Sequence, residues 1–285
     1  MANLNQKLID AATDGDHEGV ARLLALGADP LQDESTALSM AATHGHAECV
    51  KLLIPVSDPT ADESAALRWA SYKGHVECVR LLIPVSDPKA EDSQSLYFAS
   101  EKGHAECVRL LIPASDAKAN KSRHLLLAAL NGHADCVKML IPVSDPKANN
   151  SKALHWAAMS GRVDCVALLI PVSDPKALDS IALHDAACRG KTECVRLLIP
   201  VSAPLIDMKR TLLQVLDAGH ADIASIMLDH EPRLLDMLDL DGAFAAATAN
   251  RHTLMALFIS SAIERQAIMA CPPPQAIHPK APPRL

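Results

Sequence analysis

The side chains with ligand or nucleophile chemistry in this chain are 13 histidines and eight cysteines, and many of them recur at a fixed interval. His46, His75, His104 and His133 stand 29 residues apart, and His220 rejoins the series. Cys49, Cys78, Cys107, Cys136, Cys165 and Cys194 repeat with the same period. Imidazoles hold a metal when several reach one ion through bonds of ~2 Å. One ring per stacked unit, at the roughly 8–10 Å spacing of packed helices, cannot converge in that way. The histidine row is therefore expected to form hydrogen bonds, and Arg162 and Lys191 at the same position suit that role. The same spacing exceeds the ~7 Å limit for bridging two cysteines. The six thiols are expected to be reduced, buried packing groups, which implies a reducing compartment.

One local cluster departs from the column. His184 and Cys188 lie at i, i+4, with Cys194 six residues on. Cys194 already occupies the core position, no fourth ligand lies near, and no CxxC occurs, so no metal is assigned. The chain lacks GxGxxG, GxxxxGK[ST], HExxH and GxSxG, so no catalytic residue, cofactor or enzymatic activity is expected.

The elements that position these groups follow from the repeat. Gly45, Gly74, Gly103, Gly132, Gly161 and Gly190 lie 29 residues apart and Gly219 extends the series. Such a period marks stacked supersecondary units, each too small to bury its own apolar face. In Asp145–Ser173, Asp145-Pro146 opens a turn, Lys147–Asn150 reads as a short polar loop, and Ser151 occupies an N-cap position. Ala153, Leu154, Ala157 and Ala158 follow helical spacing. Gly161 ends that helix in a left-handed turn. A second helix starts near Val163, buries Cys165, Leu168 and Leu169, and stops before Pro171.

This unit resembles the ankyrin repeat. Ala-Leu-His-x-Ala-Ala-x-x-Gly-x-x-Asp-Cys-Val-x-Leu-Leu, from Ala153 to Leu169, matches its core pattern, and the likeness runs from about Leu4 to Ile263. The first unit, with Gly27-Ala28-Asp29-Pro30, is nearest to the family. Later units are compressed to 29 residues from the usual ~33. Ile-Pro-Val-Ser replaces the terminal glycine. Thr36-Ala37, Ala65-Ala66 and Gln94-Ser95 replace Thr-Pro. The missing residues fall in the projecting β-hairpin of the family, so a stubby loop is expected there. In the family, the histidine after each glycine bridges backbone groups of neighbouring units. Near-identical repeats of this kind suggest recent duplication and resemble ankyrin modules of host-adapted bacteria.

The expected fold is an all-α, ankyrin-like solenoid of about nine stacked helix-turn-helix repeats with short loops. Residues 1–28 form an N-terminal capping repeat and 29–202 six regular repeats. Residues 203–266 hold degenerate repeats and a cap, and 267–285 a disordered proline-rich tail. A PxxP-like Pro279-x-x-Pro282 lies in that tail. Composition agrees with thin repeated layers, being 49% hydrophobic yet 2% aromatic. The net charge of −7 argues against nucleic acid. No stretch approaches the ~18 apolar residues of a membrane span, and Met1–Asp16 lacks the apolar core of a signal peptide. A cytoplasmic monomer is expected, with export by a signal-less route left open.

Against this near-verbatim framework, the two residues before each glycine change from unit to unit. The resemblance implies that they point onto the concave face. The expected partner-binding set is Tyr72, Lys73, Glu101, Lys102, Leu130, Asn131, Met159, Ser160, Cys188 and Arg189. Arg68, Tyr97, Arg123, Lys152, His155, His184 and Arg210 are read as loop positions extending that surface. Trp69, Phe98 and Trp156 share one repeat position, which points to packing between units. No unit shows a pocket-forming departure from the repeat. The expected function is non-catalytic recognition of a partner protein. The rival readings are a substrate-recruiting, host-directed effector and an inhibitor module working with a separate enzyme.

Overall fold

A computed structural model describes residues 2–202, 205–237, 256, 259–261, 263 and 264. Among the described residues all regular structure is helical, and the chain divides into two units, residues 1–203 and 204–285. The first unit holds seven helix pairs. They are α1 (Ala2–Asp14) with α2 (His17–Ala25), α3 (Gln32–His44) with α4 (Ala47–Leu53), α5 (Ala61–Lys73) with α6 (Val76–Leu82), and α7 (Ala90–Lys102) with α8 (Ala105–Leu111). There follow α9 (Ala119–Asn131) with α10 (Ala134–Leu140), α11 (Ala148–Met159) with α12 (Val163–Leu169), and α13 (Ala177–Cys188) with α14 (Thr192–Leu198). First helices pack on first helices in chain order, and second helices likewise. This is the solenoid stacking that the period implied. The second unit contains a further pair, α15 (Leu205–Asp217) and α16 (Ala221–His230). The expected pair Gly242–Ile263 lies almost wholly outside the described residues, and the proline-rich tail lies entirely outside them.

Each layer is held by the same few apolar groups. Leu67, Leu96, Leu125 and Leu154 from the first helices meet Cys-Val-x-x-Leu from the second, all fully buried. Each such leucine contributes about 1.5–3 kcal/mol by leaving water. The Ala-Ala or Ala-Ser pairs, such as Ala128-Ala129, are buried too, and their small size lets adjacent first helices approach closely. Gly74 ends α5 at φ 78°, and the amide of His75 closes on the Ala70 carbonyl at 2.9 Å.

The connection into each first helix is tighter than a loop. Glu91, Asp92 and Ser93 all have positive φ, from 50° to 64°, making one left-handed turn before the right-handed helix begins. Five other layers repeat it, at 33–35, 62–64, 120–122, 149–151 and 178–180. This turn stands where the stubby loop was expected, and no strand forms among the described residues. It also corrects the reading of Ser151 as an N-cap. The Ser151 hydroxyl accepts the Asp174 amide of the next layer at 2.8 Å. Ser35, Ser64, Ser93 and Ser122 accept from Asp58, Asp87, Asp116 and Asp145 in the same way. A left-handed serine turns its hydroxyl across the layer boundary, so the turn becomes a rivet between repeats.

Candidate functional site

The paired positions before each glycine end the first helices, and the following layer holds their backbone. His75 Nε2 donates to the Thr43 carbonyl, His104 to that of Tyr72 and His133 to that of Glu101, each at 3.0 Å. Arg162 takes over in the next layer, its Nε donating to the Leu130 carbonyl at 3.1 Å. The hydrogen-bonding role expected of the histidine row is thus what these residues perform. Burial holds the His75 imidazole below its usual range, which suits a neutral ring donating one N–H. The ring also occupies the space beside the preceding glycine. A Cβ on Gly74 would lie 2.5 Å from His104 Nδ1. Glycine is therefore required at this position both by its left-handed φ and by the ring beside it.

With the backbone fixed, the side chains are free to differ. Tyr72, Glu101, Leu130, Asn131, Met159, Ser160 and Cys188 are half-buried, whereas Lys73, Lys102 and Arg189 are exposed. Asn131 Nδ2 donates to the Glu101 carbonyl at 3.0 Å, and Lys102 Nζ sits 3.7 Å from the Glu101 carboxylate. Cys188 contacts His184 Nε2 at 3.9 Å.

Two adjacent layers gather four of the chain's seven aromatic residues into one cluster. Tyr72 meets Trp69 edge-on with centroids 5.8 Å apart and Phe98 at 5.4 Å. Trp69 stacks on Phe98 at 6.4 Å, and Tyr97 meets Phe98 at 5.3 Å. Each such pair contributes about 0.5–1.5 kcal/mol beyond burial. Trp69 and Phe98 do pack between repeats, as their shared position implied, yet Trp69 remains 43% exposed. The sequence reading gave Trp69 and Phe98 a packing role between units and missed that Trp69 also forms surface. The signal was present, since Trp69 and Tyr72 lie at i, i+3 and Phe98 is Trp69 moved by one period. Cations cover the ring faces. Lys102 Nζ lies 4.8 Å from the Tyr72 centroid, Arg123 4.7 Å from Tyr97 and Lys152 5.0 Å from Trp156.

The supposed loop positions are helical. Arg68, Tyr97, Arg123, Lys152, His155 and His184 all lie on the right-handed parts of α5, α7, α9, α11 and α13, and Arg210 lies on α15 in the other unit. Arg68 is tied down, donating to Gln94 at 2.7 Å and to the Asp62 carbonyl at 2.8 Å. His155 Nε2 meets the Asp185 carboxylate at 2.7 Å.

One layer departs from the repeat beside a shallow groove. His124 stands where the other layers carry Ala37, Ala66, Ser95, Ala153 and Ala182. It is 1% exposed, its Nδ1 has no partner, and burial depresses its pKa. Above it lies an open groove of about 660 Å3 lined by Glu91, Asp92, Tyr97, Phe98 and Arg123. The signal was a histidine in a column of small residues.

Four of the second helices carry the same surface pair. Glu48–Lys51, Glu77–Arg80, Glu106–Arg109 and Glu193–Arg196 form i, i+3 pairs at 2.6–3.5 Å. The cysteine column is free and buried, with Cys78, Cys107, Cys136, Cys165 and Cys194 pushed up to about 11 by burial. Such thiols are packing groups, not nucleophiles. Among the described residues no three His, Cys, Asp or Glu side chains gather as a metal site, and no helix is long and apolar enough to cross a membrane.

Comparison with protein families matches this architecture to "Ankyrin repeats (3 copies)" over residues 8–92, 96–179 and 154–237. A search of curated proteins finds no match.

Proposed function

The chain belongs to the ankyrin-repeat family, whose members are generally protein-interaction modules, and on that premise we propose a non-catalytic recognition module that binds a partner protein through its concave, first-helix face. The observation that carries this reading is the contrast between the two helix faces. Four of the second helices, α4, α6, α8 and α14, repeat the same neutralised ion pair, whereas the first helices vary in layer-specific side chains on a backbone pinned by the histidine row. Tyr72, Met159 and Arg189 are of the types that form binding hot spots. The contact set further includes Lys73, Glu101, Lys102, Leu130, Asn131, Ser160 and Cys188. An interface of ~800 Å2 per partner spans several layers and supplies micromolar to nanomolar affinity. The buried, unpaired thiols suit a reducing compartment such as the cytoplasm.

The test is affinity capture with the wild-type chain and with Tyr72→Ala/Met159→Ala/Arg189→Ala. Loss of one specific partner at unchanged helicity supports the reading. Capture of the same partner with undiminished affinity removes the site from this face.

A further inference from the structure

Charge is segregated in the first unit. From α5 to α13 the right-handed parts of the first helices carry Arg68, Lys73, Lys102, Arg123 and Lys152, with Arg189 capping α13, against two carboxylates, Glu101 and Asp185, whereas α1 carries Lys7, Asp10 and Asp14. This cationic excess belongs to a chain whose net charge is −7. Both carboxylates are engaged, Asp185 with His155 at 2.7 Å and Glu101 beside Lys102 at 3.7 Å. Negative charge is paired at three of the left-handed turns, where Asp33, Glu34, Asp62, Glu63, Glu91 and Asp92 are all exposed, while the turns at 120–122 and 149–151 carry no carboxylate.

From this arrangement, and resting on the recognition reading above, we infer that the partner presents an acidic segment carrying aromatic or aliphatic anchors. The anchors lie on the half-exposed column Trp69, Phe98 and Trp156. Lys73 and Lys102 flank Tyr72 at 5.5 and 4.8 Å from its centroid. An ammonium over a ring keeps N–H donors turned away from it. Those donors take carboxylates that flank an anchor seated on the neighbouring rings. Layers recur every ~8–10 Å and an extended chain advances ~3.3 Å per residue, so successive anchors fall at every third residue of such a segment. The acidic turns repel the same segment from the edge of the face and thereby set where it lies. A basic segment meets the reverse field and is excluded from the helices. Electrostatic selection of this kind acts mainly on association rate and specificity.

The experiment is an unbiased selection. A display library of random peptides is panned against the full chain, and the enriched peptides are measured by calorimetry. The targets are the wild-type chain, Lys73→Glu/Lys102→Glu and Tyr72→Ala, with helicity checked for each. The inference expects net-negative peptides with aromatic or aliphatic residues. Their affinity falls about tenfold or more on charge reversal, and falls similarly between about 50 and about 300 mM salt. Neutral or basic peptides that are lost on Tyr72→Ala overturn the acidic partner while leaving the recognition face in place. Peptides indifferent to both variants overturn the face as well. Tighter binding of a single-stranded oligothymidine than of any selected peptide assigns the face to nucleic acid and also overturns the inference.

Discussion

His104 donates a hydrogen bond to the backbone carbonyl of Tyr72 at 3.0 Å, reaching from one layer into the layer before it. The residue that varies is thus held by a residue that repeats. Because the bond goes to the backbone, Tyr72 can become Glu101 or Leu130 in neighbouring layers without loss of the contact. The contact that joins the layers is thereby independent of the side chain that varies.

Gly74→Ala tests this joint. The substitution places a side chain at φ 78° with its Cβ 2.5 Å from the His104 ring. It is expected to destabilise by about 1–3 kcal/mol, measured by denaturant titration. His104→Ala removes the ring and the bond together, so Gly74→Ala is expected to cost less in that background.

Ser93 and Lys121 test the left-handed turn. Ser93→Ala strips the acceptor from the Asp116 amide and is expected to cost about 1 kcal/mol. Ser93→Gly is expected to cost less, because glycine accepts φ 64° freely. Lys121 is exposed at φ 56° and makes no such bond. Lys121→Gly is therefore expected to stabilise by up to about 1 kcal/mol, whereas Lys121→Ala is expected to leave stability unchanged.

His124 gives a pH signature. Burial lowers its pKa from the usual 6.5, so the folded chain keeps it neutral while the unfolded chain binds a proton. The unfolded state then holds more protons, and stability rises with pH. This stability is complete above about pH 6.5 and is lost as pH falls from there through the lower folded value. His75 carries a shift of the same sign from burial. His124→Ala is expected to shallow the stability slope below about pH 6.5 without abolishing it, as read by denaturant midpoints across pH.

Thiol reactivity tests the core. In a Cys271→Ser background, native protein is expected to label first at Cys188, the half-buried thiol, slowly because burial raises its pKa. The column from Cys49 to Cys194 is expected to react only on unfolding. Burial raises the Cys49 thiol and pushes those from Cys78 to Cys194 up to about 11, so the thiolate population of the latter at pH 8 is about one in a thousand. Rapid labelling of the column would place those helices in a different register.

The helix pairs, the left-handed glycines, the buried thiols and the histidine bridge were legible because each recurs with the period. A residue repeated in six layers answers a constraint that six layers share. The turn at Glu91–Ser93 was not legible. Asn and Asp tolerate left-handed φ, but Glu91, Lys121 and Leu178 give no local sign of it, and the chain uses no glycine there. The partner of Ser151 was missed because a hydroxyl before a helix signals a cap within its own helix, whereas Asp174 lies a full layer away. Trp69 was read incompletely for a related reason, and His124 was passed over. Sharing a position with Phe98 showed that Trp69 packs, but exposure depends on what the neighbouring layers place beside it.

The most direct test of recognition through the first helices is site-specific photocrosslinking in the cells that produce the chain. A benzophenone amino acid is placed at position 130, among the variable pairs, or at position 51, on the second-helix face. The account predicts a discrete crosslinked partner from position 130 and none from position 51. The same partner captured from position 51 and not from 130 would contradict it.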